Sequence, residues 1–151
     1  MEAAQVTEPT RDAITGLPNL SSLVERIQEL QALERSSRGP LHSHLSDRLL
    51  LVVSLATAPD RHTGLFLQAR TAALLRSVFG DEDVIAMLRP GLFAVLVRDR
   101  ADLAADRAFL ASMLLEFDVD ARVWTERVPL DGPTTASLFS SLLLSGDWVP
   151  D

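Results

Sequence analysis

Three adjacent side chains, Asp60, Arg61 and His62, bring a carboxylate, a guanidinium and an imidazole together. A carboxylate or an imidazole can move protons, and an arginine can hold a phosphate through two parallel hydrogen bonds. Covalent catalysis also needs an activated nucleophile, and the sequence does not pair one with this triplet. We therefore predict that Asp60 and Arg61 contact a ligand, and we assign no catalytic residue.

A second group of candidate ligands, His42, His44 and Asp47, has the side chains of a zinc site. The segment around it is rich in Ser, Gly and Pro and offers no group that would orient the imidazoles. We interpret it as a solvated loop and predict no metal site. Cysteine is absent, which excludes thiolate metal ligands and disulfides.

Arg89 stands at the tip of a predicted hairpin. Two short apolar runs, residues 84–88 and 92–97, flank Arg89-Pro90-Gly91, and Pro-Gly between apolar runs is typical of a tight turn. An arginine at such a tip can pair with a phosphate. We predict that Arg89 contacts a ligand.

The elements that must position these residues follow from hydrophobic periodicity. Helical spacing begins at Leu20, with Ser21 or Ser22 as the predicted cap, and a continuous apolar run at residues 49–55 predicts a strand buried on both faces. The predicted helices are residues 20–33, 63–79, 102–117 and 135–144, and the predicted strands are 49–55, 84–88, 92–97 and 122–128. In the second and third helices, Phe66 and Phe117 are among the residues expected to face inward.

This order of elements predicts an α+β fold in which one antiparallel sheet is covered by helices, a ferredoxin-like or palm-type layout. Strand 49–55 should lie beside the hairpin strands, and strand 122–128 should lie at an edge. With 151 residues and 47% hydrophobic composition, the chain fits a flexible polar arm, residues 1–11, and a single domain, residues 12–151.

Composition excludes several classes of function. The longest apolar run, residues 49–55, is too short to span a bilayer, and the N-terminus lacks the basic start and apolar core of a signal peptide. We predict a cytoplasmic protein that does not contact the membrane. A net charge of -7 also opposes binding to nucleic acid or anionic lipid.

Two motifs carry a resemblance to a known family. The octapeptide Asp12-Ala13-Ile14-Thr15-Gly16-Leu17-Pro18-Asn19, followed by an amphipathic helix, and the later strand Phe93-Ala94-Val95-Leu96 resemble GGDEF domains, the diguanylate cyclase family. The resemblance spans about residues 12–144 and implies the same palm layout. It also implies an association with cyclic di-GMP signalling in bacteria.

The resemblance further implies that the catalytic turn is degenerate. Cyclase chemistry uses two cations held by carboxylates, and the family positions for these align here with Ser54, Ala56 and Leu92. The Gly-Gly pair of the family turn is replaced by Arg89-Pro90, and proline has no amide hydrogen to offer a phosphate. We therefore expect no enzyme activity and no metal or other cofactor.

Nucleotide recognition is altered at two further places. The family's guanine-reading segment corresponds to residues 58–65, which are shortened, and Leu65 stands where a base-reading aspartate would lie. The family's inhibitory product site, an arginine three residues before an aspartate, aligns with Gly80 and Asp83. The arginine is missing from that position.

Near the C-terminus four apolar residues raise two alternatives. Phe139, Leu142, Leu143 and Trp148 either pack over the sheet or form an exposed surface for another protein or a second copy. We predict an inactive GGDEF-like domain that binds another protein or forms a homodimer. The alternatives are a nucleotide sensor using Arg89 and the region of Asp60, and a cyclase using displaced carboxylates such as Asp60 or Asp83.

Overall fold

The computed structural model describes residues 15–36, 48–80, 83–98 and 102–145. These ranges contain four helices and four strands, all at the predicted places. In chain order they are α1 (Leu20–Ser36), β1 (Arg48–Leu55), α2 (Arg61–Val78), β2 (Val84–Arg89), β3 (Leu92–Arg98), α3 (Leu103–Glu116), β4 (Ala121–Arg127) and α4 (Gly132–Leu144). The predicted arm, the loop residues His42, His44 and Asp47, and Trp148 lie outside the described ranges.

The strands form one antiparallel sheet in the order β2-β3-β1-β4. The predicted strand order is confirmed, because β1 lies between β3 and β4, and β4 is at an edge of the described sheet. The apolar run explains the central place of β1, since Leu50 to Val53 are completely buried and only a strand covered on both faces can bury consecutive residues.

Helices cover both faces of this sheet. On one face Leu51, Val53 and Phe93 pack with Leu75 of α2 and Leu110 of α3. On the other face the alternate residues of the same strands pack against α1 and α4; this cluster includes Leu50, Val52, Ala94, Leu96, Ile27 and Phe139. Successive strand residues point to opposite faces, so one apolar strand supplies both cores.

Phe139 and Leu142 of α4 belong to the second core and are only 4% and 3% exposed. The partner-surface interpretation of these two residues is therefore wrong, and the packing alternative holds for them. Leu143 is half-buried against the same cluster. Helical spacing places Phe139 and Leu142 on one side of α4. Burial of each side chain stabilises the fold by about 1.5–3 kcal/mol.

Two predicted inward aromatic residues face outward instead. Phe66 of α2 is 55% exposed and Phe117, after α3, is 37% exposed. The guanidinium of Arg70 lies over both rings, 5.1 Å from the centroid of Phe66 and 4.6 Å from that of Phe117. The buried side of α2 is formed by Thr71, Ala72, Leu74 and Leu75. Apolar residues occur on both sides of α2, so periodicity alone did not identify the buried side.

The first helix is capped two or three residues earlier than predicted. The amide of Ser22 donates to Asn19 Oδ1 at 3.1 Å, and the amide of Leu23 donates to the carbonyl of Asn19 at 3.1 Å. Asn19 is therefore the cap, and the prediction of Ser21 or Ser22 was wrong. Asn is among the best residues at this position because its side chain accepts from an otherwise unsatisfied amide.

Candidate functional site

The turn between β2 and β3 is built by Pro90 and Gly91. Proline is suited to the second position of a type II turn, and the third position requires the positive φ that Gly91 adopts, 85°. The carbonyl of Gly91 accepts from the amide of Leu55 at 2.8 Å. This bond fixes the turn against the end of β1.

A β-bulge lies beside this turn. Met87 pairs with Phe93 and Arg89 pairs with Leu92, so Leu88 is an extra residue in β2. Leu88 is buried in the core beneath α1 and α4. An extra residue bends its strand and re-aims the side chains that follow, and here it precedes Arg89.

Arg89 borders a small cavity that we call the turn cleft. The cleft has a volume of about 150 Å³. Three walls enclose the cleft: the residues after β1, the first turns of α2, and the turn between β2 and β3. The lining residues include Ala56, Thr57, Ala58, Gly64, Gln68, Arg89 and Pro90. Arg89 is half-buried there.

Asp60 and Arg61 border an adjacent cavity, the outer hollow, of about 480 Å³. Leu65 and Met87 also line it, and it shares Ala58, Gly64, Gln68 and Pro90 with the turn cleft. The structure thus brings the three predicted ligand contacts, Arg89, Asp60 and Arg61, to neighbouring cavities at one end of the sheet. Leu65, at the family's base-reading position, presents only an aliphatic side chain to the hollow.

The carboxylate of Asp60 is already used to cap α2. Its Oδ1 accepts from the amide of Thr63 at 2.8 Å, and its Oδ2 accepts from the Thr63 hydroxyl at 2.9 Å. The backbone bond and then the side-chain bond from Thr63 lower the pKa of Asp60 below its ordinary value. A lowered pKa makes Asp60 a weaker proton acceptor, which disfavours it as a general base.

Ser54 and Leu92 occupy the two carboxylate positions implied by the family resemblance. They are cross-strand partners, and they are 2% and 0% exposed. Leu92 packs in the cluster beneath α1 and α4, and the alternation along β1 directs Ser54 to the same face as Val52. Neither residue lines the turn cleft. The side chain of Leu92 therefore contributes to the core and does not cover the cleft.

Residues 15–19, here called the N-terminal segment, lie along β2. The amide of Met87 donates to the carbonyl of Pro18 at 2.9 Å, and Asn19 forms a parallel bridge with Met87. The guanidinium of Arg76 donates to the carbonyl of Thr15. These bonds attach the described part of the family-like octapeptide to both β2 and the end of α2.

A further cavity of about 470 Å³ is lined by this segment and by the end of α2. Gly80 and Asp83, which align with the family's product site, line it together with Arg76. Arg76 was not singled out from the sequence, because the resemblance places an arginine at the position of Gly80. Arg76 lies one helical turn before Gly80, and that spacing was the available signal.

Within the described ranges, no three His, Asp or Glu side chains gather closely enough to hold a metal ion. A search of the described helices for one long and apolar enough to span a membrane found none.

No family model matches the sequence, and no curated protein matches it. Solved structures do match. The GGDEF domain of FimX from Pseudomonas aeruginosa is 16% identical with a TM-score of 0.59, and the match covers 95% of this chain and 100% of that chain. The GGDEF domain of DgcB from Caulobacter crescentus, solved with c-di-GMP, is 13% identical with a TM-score of 0.63, covering 96% of this chain and 92% of that chain.

A third similar structure is diguanylate cyclase SiaD from Pseudomonas aeruginosa, solved in complex with its activator SiaC. It is 20% identical with a TM-score of 0.60, and the match covers 89% of this chain and 56% of the SiaD chain. At these identities the likeness is one of fold. The predicted α+β, palm-type fold is confirmed.

Proposed function

We propose that this GGDEF-like domain is catalytically inactive and acts by binding another protein, in a cytoplasmic bacterial system that uses cyclic di-GMP. The observation that carries the proposal is the buried pair Ser54 and Leu92 at the expected carboxylate positions. The similar solved structures are GGDEF domains of cyclic di-GMP signalling proteins, which supports the choice of system.

The chemistry of the cyclase reaction explains why this pair matters. The ribose 3′-hydroxyl attacks an α-phosphate with the help of hard cations, and such cations require several oxygen ligands, usually carboxylates. A serine hydroxyl is a poor ligand by itself, and leucine has no donor atom. Leu92 also packs inside an apolar cluster and Ser54 is only 2% exposed, so a hydrated cation could not reach them without displacing neighbouring residues.

The dimensions of the turn cleft disfavour nucleotide binding within it. Cavities that enclose small ligands usually measure about 300–1,000 Å³, whereas the turn cleft measures about 150 Å³. Pro90 cannot donate a backbone hydrogen bond to a phosphate at its mouth.

Exposed apolar side chains support the interaction role. Of the seven large ones in the described residues, four lie on α2, on α3 or directly after α3: Phe66, Phe109, Leu115 and Phe117. A concentration of apolar surface on one layer is typical of proteins that bind other proteins. SiaD was solved in a complex with a protein activator, and we extend only the idea of a protein partner to this chain.

A nucleotide sensor is the second candidate function, and the outer hollow is the observation that favours it. Its volume, about 480 Å³, falls within the range for small-ligand cavities. Arg61 could contact a phosphate there, with Arg89 contributing from the adjoining cleft. Binding of this kind would not require a metal ion.

Isothermal titration with GTP and with cyclic di-GMP, each with and without Mg²⁺, tests both functions. We expect no binding heat, no thermal shift and no cyclic di-GMP product. Saturable binding without Mg²⁺ that is lost in Arg89→Ala, but retained in the control Arg70→Ala outside both cavities, would establish the sensor instead. Conversion of GTP to cyclic di-GMP, or GTP binding that depends strictly on Mg²⁺, would contradict the proposal that the domain is catalytically inactive.

A further inference from the structure

Among the described residues, no strand pairs with the outer side of β4. In the described sheet β4 pairs only with β1. Just before β4, the amide of Ala56 donates to the carbonyl of Asp120 at 2.9 Å, so Asp120 directs its backbone groups towards β1. Along an antiparallel strand, the backbone N–H and C=O groups of successive residues point alternately to one side of the strand and to the other. The backbone groups of Arg122, Trp124 and Glu126 therefore face β1, and those of Val123 and Thr125 face the open edge.

The charges on β4 are complementary to those of a second copy of β4. If two copies pair antiparallel about Trp124, Arg122 of each copy lies opposite Glu126 of the other. Centring the pair on Val123 would place Arg122 opposite Trp124, and centring it on Thr125 would place Glu126 opposite Trp124. Either register loses both ion pairs. Opposite charges that face each other across strands are stabilising, and like charges are destabilising.

Backbone geometry suits the same register. Val123 then lies opposite Thr125 of the second copy, and these are the residues whose N–H and C=O groups face the edge. The two Trp124 residues form the central pair without backbone hydrogen bonds, in which side chains come closest. Trp124 Nε1 donates to Glu126 Oε2 at 2.9 Å, which holds the carboxylate on the face that carries Arg122.

The helix beside β4 offers a second matching surface. A groove of about 680 Å³ runs between α3 and β4. Ala104, Ala108 and Ala111 line it at helical spacing, and Leu115, which is 76% exposed, stands at its end. When two sheets join at their edges, the helices beside those edges become neighbours. Small side chains let two helices approach closely, and Leu115 of one copy can enter the groove of the other.

We propose that two copies of this chain associate through β4, forming one continuous sheet in which Arg122 pairs with Glu126 across the two-fold axis and α3 packs against its symmetry mate. The inference deepens the proposed interaction function by naming a second copy as the partner, and it rests on that function only for its biological role. Oligomeric state is measured without nucleotide, so its outcome is separate from that of the titrations.

Charge reversal provides a sharp test by sedimentation velocity over a concentration series. We expect the wild-type chain to be dimeric at about 100 µM. Arg122→Glu alone gives two facing glutamates, Glu126→Arg alone gives two facing arginines, and each should raise the dissociation constant by about tenfold or more. Mixing the two variants should restore dimers, because the heterodimer has opposite charges at both positions.

A second variant tests the helical part of the surface. Leu115→Ser should weaken the wild-type dimer without lowering the melting temperature of the monomer, because Leu115 is exposed. The proposal would be overturned if the wild-type chain were monomeric at about 100 µM. It would also be overturned if both charge variants still dimerised as the wild type does, or if the mixture of the two variants stayed monomeric. Capture of an unrelated extended peptide at this edge by a monomeric wild-type chain would also count against it.

Discussion

Ser54 of β1 lies directly opposite Leu92 of β3, and neither side chain reaches solvent. The two positions that the family resemblance assigns to carboxylates are thus a hydroxyl-bearing residue and an aliphatic residue that face each other across two strands. Leu92 is therefore a core residue, and we expect its replacement to lower the stability of the fold.

We predict that Leu92→Ala lowers the free energy of unfolding by about 2–5 kcal/mol, because it removes buried methyl groups and leaves a cavity. Leu144→Ala is the matched control, since Leu144 is 86% exposed and its loss should change stability by less than about 0.5 kcal/mol. Urea denaturation measures both. Equal effects of the two substitutions would show that Leu92 does not pack as described.

The turn that supports Arg89 should depend on Gly91. Its φ of 85° is unfavourable for any residue with a side chain, so Gly91→Ala should cost about 1–2 kcal/mol even though an added Cβ would meet only Leu55, at 3.9 Å. Gly80→Ala is the control, because an added Cβ there meets nothing within 4 Å. An unchanged urea midpoint in both variants would show that a side chain at position 91 does not strain the turn.

Gln31 should hold α1 to the start of α4. It is 3% exposed, and its Nε2 donates to the carbonyl of Pro129 at 3.0 Å and to Thr135 Oγ1 at 2.9 Å. Gln31→Ala leaves buried acceptors without this donor and should cost about 1–3 kcal/mol. The control is Gln28→Ala on the exposed side of α1, and a similar loss in both variants by chemical denaturation would contradict the role of the hydrogen bonds.

The cap of α2 should give a pH-dependent contribution. Hydrogen bonds from Thr63 lower the pKa of Asp60 from its ordinary value of 3.8, so the ionised carboxylate stabilises the fold above that pH, and the contribution is lost as pH falls through the lowered value. Asp60→Ala should therefore lower the melting temperature at neutral pH, and the difference from wild type should shrink in acid.

Asp102→Ala is the control for this experiment. Asp102 occupies the same position before α3 but makes no side-chain capping bond. Its replacement should leave the melting temperature nearly unchanged at both pH values. A difference between wild type and Asp60→Ala that did not shrink as the pH fell through the lowered pKa of Asp60 would show that the carboxylate charge is not the cause.

The sequence by itself determined the kind and order of the elements. A continuous apolar run identified β1 as the central strand, and the apolar runs on either side of Pro90 identified the hairpin. These features depend on residues close together in the chain, where periodicity and turn chemistry act directly.

Only the tertiary structure decided which side of each element is buried and which distant residues meet. It exposed Phe66, buried Phe139, and brought Arg76 to the same cavity as Asp83. When apolar residues occur on more than one side of a helix, the side that becomes buried is decided by the element that packs against it. Contacts across the sheet likewise depend on pairing registers that neighbouring residues do not encode, which is why sequence reasoning named Ser54 and Leu92 but could not predict that they would face each other in the core.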